Sequence, residues 1–126
     1  MRLQLRDGLP FTRVVISYLG KEIEIDNVLV DTGSASTLFA ADQVAQISIT
    51  PEPNDTLYAI RGVGGSETVF SRVVEEIRIA QHGVKQFEIE IGGMDYGFEI
   101  NGIVGMDFLT GVGAIINLKD LRIDFG

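Results

Sequence analysis

The chain has 126 residues, of which 45% are hydrophobic, so it can form one folded domain with its own core, and we expect a single domain over 1–126. It carries 10 basic and 18 acidic residues, a formal net charge of −8, which argues against nucleic acid or an anionic membrane as the main partner. It has no Cys, no apolar N-terminal run of signal-peptide length and no apolar run of about 18 residues. We therefore expect a soluble, cytoplasmic protein without disulfide or thiol chemistry.

The hydrophobic periodicity is that of β-strands. Arg13–Leu19 is a β-rich run, and Gly20-Lys21 turns it into the alternating Glu22–Ile25. Val69–Ala80 and Val84–Ile91 are expected to pair as a hairpin. Near the end of the second run apolar and acidic residues alternate, which predicts that its acidic residues, Glu88 and Glu90, lie on a solvated face.

Two short continuous apolar runs stand apart from this alternation. Val28–Val30 and Ile103–Val104 are typical of strands buried on both faces. Helix is scarce: Ala40–Gln46 can form about two turns and Asp107–Thr110 one turn, with Asp107 as its N-cap. Closely spaced short strands separated by glycine turns predict an all-β fold, a small closed barrel with one or two short helices.

A carboxylate follows the first of these apolar runs directly, in the string Asp31-Thr32-Gly33-Ser34. A charge at the end of a buried strand is costly unless it is hydrogen-bonded. Gly33 lets the backbone approach closely enough for its N–H to bond one Asp31 oxygen, and the Ser34 hydroxyl is expected to donate to another. The string occurs once, so one chain supplies one such carboxylate.

Two further motifs follow in order. Arg61-Gly62-Val63-Gly64-Gly65 lies between two β-like runs and predicts a mobile hairpin tip that can close over an extended peptide. In Asn101–Leu109, the sequence Ile103-Val104-Gly105 is interpreted as a buried strand whose glycine lets the backbone pass tightly behind the Asp31 segment.

The order, spacing and type of these motifs resemble the retropepsin-like (retroviral-type) aspartic proteases over roughly Phe11 to Leu118. The resemblance implies a closed acid-protease barrel with a β-hairpin flap. It also implies a peptidase that works as a homodimer on peptide or protein substrates, without a metal or other cofactor. The two Asp31 carboxylates would share one proton across a two-fold axis, because like charges so close cannot both ionise.

The same resemblance assigns roles to individual residues. Asp31, Thr32, Gly33 and Ser34 would form the catalytic loop, with Thr32 bonding across the dimer beneath the carboxylates. The flap and the pocket beside the scissile bond would bind substrate through Arg61, Gly62, Val63, Gly64, Gly65, Ile103 and Val104.

The chain departs from the family's retroviral members at three places. Those enzymes commonly have Gly-Arg-Asn or Gly-Arg-Asp where this chain has Gly105-Met106-Asp107, and Ala35-Ser36 lacks the acidic partner of that arginine. The segment Lys119–Phe125 extends past the usual terminal strand and is interpreted as a turn plus one more strand. How the dimer interface is built stays open.

Other interpretations compete with catalysis. Asp31 alone could be a turn residue, and the chain could be a peptide-binding or dimerisation module with little hydrolysis, or a protease restricted to self-processing or to one partner. The single His82 lies in a predicted turn, which argues against a Ser-His-Asp triad. The oxygens of Asp26 and Asp95 lack ligand spacing, so we expect no metal.

Overall fold

A computed structural model describes residues 1–62, 65–94 and 99–126 of the chain. Within these ranges, a short 3-10 turn, Ala45–Ile47, follows the first of two short helices, and the remaining regular elements are strands. The elements in chain order are β1 (Gln4–Arg6), β2 (Leu9–Tyr18), β3 (Lys21–Val30), β4 (Leu38–Ala40), α1 (Ala41–Val44), β5 (Leu57–Gly62), β6 (Gly65–Ile79), β7 (His82–Gly92), β8 (Gly102–Val104), α2 (Met106–Gly111), β9 (Ala114–Asn117) and β10 (Arg122–Phe125). The predicted all-β class with short helices is confirmed.

Six strands form a hydrogen-bonded ring. They follow one another in the order β2, β3, β8, β4, β7 and β6. The ring closes because Val15–Ser17 of β2 pair antiparallel with Glu76–Arg78 of β6. β1 pairs with β2 and β5 pairs with β6, so these two strands lie outside the ring.

The position of β8 determines the rest of the topology. β8 lies between β3 and β4, parallel to β3 through Leu29 and Ile103 and antiparallel to β4 through Leu38 and Ile103. The segment that connects β3 to β4 must therefore cross the end of β8. This segment, Asp31–Thr37, is called the Asp31 loop below.

The core lies inside the ring and is made from the alternating runs of the sequence. Val14, Ile16, Ile25, Ile77 and Ile89 are all fully buried. Burying a side chain of this kind contributes about 1.5–3 kcal/mol relative to leaving it exposed. The alternation therefore determines which face of each strand points inward.

A second, smaller apolar cluster adjoins the ends of β3 and β8. Half-buried Leu29 and Ile103 pack against it. Its buried members are Phe11, Leu38, Ala40, Val69, Met94 and Ile100. This cluster lies next to the strand ends from which the Asp31 loop starts.

The two chain termini are joined in a separate small sheet. β10 pairs antiparallel with β9, as the alternation in the last residues predicts. The Met1 amino group donates to the Ile123 carbonyl at 3.1 Å, and the Leu3 N–H donates to the Leu121 carbonyl at 2.8 Å. The N-terminal residues therefore bond to the C-terminal strand of the same chain.

The helices are short. Helical structure over Ala41–Ile47 matches the two turns predicted there. None of the helices in the described ranges has the length and apolarity that crossing a bilayer requires.

Arg72 on β6 ties the segment before β5 to the ring. Its side chain is only 10% exposed and pairs with the similarly buried Asp55 at 2.8 Å. The guanidinium also donates to the Thr50 carbonyl at 3.0 Å and to the Tyr18 hydroxyl at 3.3 Å. Removing a buried cation with this many partners destabilises the fold, mainly because the groups that it bonds would lose their partner.

We predict that Arg72→Ala lowers the free energy of unfolding by about 3 kcal/mol, because the buried Asp55 carboxylate would lose its cation and keep only the Glu52 N–H as a donor. Arg13→Ala is the matched control: Arg13 pairs with Glu24 at 3.7 Å with both side chains 60% exposed, and its loss should cost less than about 0.5 kcal/mol. Urea unfolding measures both values. Equal losses would contradict this assignment.

Candidate active site

The Asp31 carboxylate is held by its own loop. The Asp31 N–H donates to the Val104 carbonyl at 3.0 Å, which extends the β3–β8 ladder to the first residue of the loop. The Gly33 N–H donates to Asp31 Oδ1 at 2.9 Å, as predicted from the sequence. The carboxylate is thus oriented by a charge-assisted hydrogen bond while the residue stays half-exposed.

Position 33 leaves little room for a side chain. A Cβ at this position would lie 3.2 Å from Asp31 Oδ1. A side chain at this position would press on the carboxylate oxygen that the Gly33 N–H holds.

The Ser34 hydroxyl does not reach Asp31, which corrects the sequence-based expectation. It donates to the Ser36 carbonyl at 2.8 Å, while the Ser34 N–H donates to the Asp31 carbonyl at 3.2 Å. The loop turns back on itself, and the hydroxyl satisfies a backbone acceptor within that turn. Ser34 therefore shapes the loop without touching the carboxylate.

Gly105, the residue after β8, passes directly behind the Asp31 loop. A Cβ on Gly105 would overlap the Ser36 carbonyl oxygen and lie 2.7 Å from that of Ser34. Its φ of −100° is open to any residue, so glycine is needed for space and not for its dihedral freedom. The close approach expected from the sequence is confirmed.

The start of α2 is bonded to the same loop. The Met106 N–H donates to the Ser34 carbonyl at 2.7 Å, and the Asp107 N–H donates to the Ala35 carbonyl at 3.3 Å. The first N–H groups of a helix have no partner within the helix, so these bonds satisfy both the helix and the loop. The Asp31 loop and α2 are therefore one connected unit.

Asp107 is not the N-cap of α2, which corrects the prediction. Gly105 occupies that position, and Asp107 lies in the first turn. Asp107 Oδ1 accepts from the Thr37 hydroxyl at 2.7 Å and from the Phe108 N–H at 2.7 Å, and the fully buried Thr37 hydroxyl accepts from the Gly105 N–H at 3.1 Å. The Thr37 hydroxyl thus joins the end of the loop to the start of the helix, a contact between distant residues that no local pattern indicates.

Glu90 is a third correction, because it is buried although apolar and acidic residues alternate in its strand. The Glu90 N–H donates to the Thr37 carbonyl at 2.9 Å, and Tyr58 of β5 hydrogen-bonds the carboxylate. Burial and this bond to Glu90 raise the pKa of Tyr58 to about 12. Tyr58 is thus a protonated donor at neutral pH, and it supplies the partner that a buried carboxylate requires.

The predicted substrate-binding residues fall into two groups. Ile103 is half-buried beside Leu29 and has exposed surface that a ligand can contact. The Val104 side chain has no exposed surface. Arg61, Gly62 and Gly65 lie on the β5–β6 hairpin, where Gly62 pairs with Gly65. The predicted tip residues Val63 and Gly64 lie outside the described residues.

The described residues contain no cluster of three His, Cys, Asp or Glu side chains able to hold a metal ion. The Asp26 carboxylate accepts a hydrogen bond from Asn101 Nδ2 at 3.1 Å. Asp95 lies outside the described ranges. The chemistry that the site offers is that of one oriented carboxylate.

We predict that Gly105→Ala lowers the free energy of unfolding by about 2–3 kcal/mol, because the added methyl group meets backbone that cannot move aside without displacing the Asp31 loop. Gly126→Ala is the control, since its Cβ would make an ordinary contact at 3.6 Å with Ile115, and it should change stability by less than about 0.5 kcal/mol. Urea unfolding is again the measurement. A Gly105→Ala variant as stable as the control would show that the loop is not packed against β8.

Comparison with known proteins agrees with this geometry. The profile of the family described as aspartyl protease matches residues 14–108, a span that contains both the Asp31 loop and Gly105. No curated protein sequence matches the chain significantly. The matched span covers most of the chain, and the chain belongs to this retropepsin-like aspartyl protease family.

Proposed function

We propose that the chain is an aspartic endopeptidase that acts as a homodimer, with one Asp31 from each subunit. The observation that carries this proposal is the Asp31 carboxylate, oriented by the Gly33 N–H at 2.9 Å on a half-exposed loop. Membership of an aspartyl protease family supports the reaction class. The acidic, cysteine-free chain would act in the cytoplasm on peptide or protein substrates.

The need for a second subunit follows from the chemistry. Hydrolysis by carboxyl groups requires one ionised carboxylate to accept a proton while a second, protonated carboxyl group donates one. The Asp-Thr-Gly string occurs once in 126 residues. A two-fold axis beside the Asp31 loop supplies the second carboxylate, and the pair carries one shared proton because two adjacent charges repel.

The proposed reaction uses these two groups in turn. The ionised carboxylate takes a proton from water as the water oxygen bonds to the scissile carbonyl carbon, and the protonated carboxyl gives its proton to the carbonyl oxygen. As the C–N bond breaks, the leaving nitrogen takes a proton from the first carboxyl. The second carboxylate recovers the proton of the new hydroxyl, so the pair again carries one shared proton.

The rest of the site would position the peptide. Leu29 and Ile103 offer apolar surface beside the strand ends. The hairpin that carries Arg61, Gly62 and Gly65 would close over an extended peptide and bond its backbone.

We predict that Asp31→Asn lowers peptide hydrolysis by at least about a thousandfold, because an amide neither accepts the proton from water nor supplies one. Asp7→Asn is the matched control: it makes the same change of charge at an exposed turn whose φ of 51° suits asparagine. Cleavage of a mixture of unstructured peptides, from acidic to neutral pH, gives the rates, and thermal unfolding verifies that both variants fold.

Two results would contradict the proposal. Full activity in Asp31→Asn would place the chemistry elsewhere. A wild-type protein that binds extended peptides at every pH without cleaving them would favour the peptide-binding module instead.

A further inference from the structure

The pairing of four strands places one carboxylate in line with the apolar residues next to Asp31. Leu29 of β3 lies opposite Ile103 of β8, and Ile103 also lies opposite Leu38 of β4. Leu38 in turn lies opposite Glu90 of β7. Residues that lie opposite one another on neighbouring strands project from the same face of a sheet. We call these four residues, Leu29, Ile103, Leu38 and Glu90, the Leu29 row.

The Leu29 row lies on the side of the sheet that faces away from the main core. Ile89 and Ile91, the two neighbours of Glu90, belong to that core and point into the ring. Side chains alternate along a strand, so Asp31, two residues after Leu29, continues the face of the row. Neighbouring strands are about 4.8 Å apart, so Glu90 is about 10 Å from its counterpart on β8. A peptide bound at the Asp31 loop would therefore have Glu90 within reach of a side chain a few residues from the scissile bond.

Glu90 is also fixed to the Asp31 loop through its backbone. Its N–H donates to the carbonyl of Thr37, the last residue of that loop, at 2.9 Å. Thr37 is itself fully buried and bonded to Asp107 and to the Gly105 N–H. The position of Glu90 relative to Asp31 is therefore set by the loop that orients Asp31.

The Glu90 carboxylate is buried without a cation. The residue is only 8% exposed. Among the side chains that the structure describes, no Lys or Arg forms an ion pair with Glu90. Tyr58 supplies one neutral donor, whereas a carboxylate can accept several hydrogen bonds. Since a buried carboxylate is normally paired with a cation, Glu90 has the capacity to bind one.

The side chain that covers Glu90 belongs to the hairpin. Tyr58 lies on β5, the last strand of the sheet, which pairs with β6 and lies outside the ring. It is 36% exposed and thus lies at the surface. A hairpin that opens to admit a peptide would carry Tyr58 with it. The carboxylate would then lose its donor at the place where the peptide binds.

We propose that Glu90 determines the substrate specificity of the protease by binding a Lys or Arg side chain of the extended peptide. The inference rests on the proposed function, and it names the substrate class: peptides with a basic residue near the scissile bond. The stem of the Lys or Arg would lie along Leu38 and Ile103, and its cationic end would reach the carboxylate. The net charge of −8 favours the same substrates, because an acidic protein attracts basic peptides.

The test begins with the wild-type chain and a mixture of unstructured peptides. Mass spectrometry of the products identifies the cleaved bonds, and Lys or Arg should be enriched at a fixed distance on one or both sides of them. Synthetic peptides with Lys or norleucine at that position then measure the preference, because norleucine keeps the stem and removes the charge. The kcat/KM should be at least about tenfold higher for the Lys peptide, as expected for a hydrogen bond between charged groups.

Glu90→Gln should reduce this preference to less than about twofold, because the amide keeps the shape of the side chain and carries no charge. Glu88→Gln is the matched control. Glu88 is exposed two residues earlier on the same strand, so removing its charge should change the preference by less than about threefold. A merely structural role of Glu90 would lower the rates for both peptides together and leave their ratio unchanged.

Thermal unfolding verifies that the variants fold. Glu90→Leu, which continues the apolar row, takes the place of Glu90→Gln should the amide prevent folding, and the same loss of preference is expected.

The outcomes separate this inference from the proposed function. A wild-type chain that cleaves peptides without preferring basic residues would overturn the role of Glu90 and leave the protease in place. An undiminished preference in the Glu90 variants would have the same meaning. A chain that cleaves neither basic nor apolar peptides would contradict the proposed function, and this inference with it.

Discussion

The structure depends on one close crossing of backbone. β8 runs between β3 and β4, so the loop that joins those strands must pass over the residue at which β8 ends. The crossing is possible because Gly105 has no side chain: a methyl group there would meet the carbonyl oxygens of Ser34 and Ser36. The crossing also sets α2 against the loop, where its first N–H groups bond to the carbonyls of Ser34 and Ala35. The orientation of Asp31 is thus a consequence of backbone packing.

The same crossing connects the Asp31 loop to α2. The helix is bonded to the loop through the N–H groups of Met106 and Asp107. A change at the start of α2 would therefore disturb the group of backbone hydrogen bonds beside Asp31. In the proposed homodimer, assembly and catalysis are coupled, because each carboxylate is oriented within its own chain but would share a proton only with its counterpart in the second chain.

Much of this architecture could be predicted because it follows from local chemistry. The alternating runs predict the strands. The short Asp31–Gly33 segment predicts the hydrogen bond from the Gly33 N–H to the Asp31 carboxylate, two residues away. Apart from Ser34, whose hydroxyl bonds the nearby Ser36 carbonyl and not Asp31, the errors concern partners that are distant in sequence. Asp107 has the type and position of an N-cap, but it bonds the Thr37 hydroxyl seventy residues away. Glu90 alternates as a solvated residue does, yet Tyr58 covers it. These partners meet only in the folded chain, because β5 and β7 both pair with β6 and the Asp31 loop passes behind Gly105 at the start of α2.

If catalysis requires an Asp31 from each of two subunits, mixing active and inactive subunits must lower the activity. A fixed amount of wild-type chain is allowed to exchange with an equal amount of Asp31→Asn chain at concentrations above the Kd of the dimer. We expect peptide hydrolysis to fall to about half, because half of the wild-type subunits then lie in inactive mixed dimers. Activity that stays at the wild-type level would show instead that each subunit acts alone.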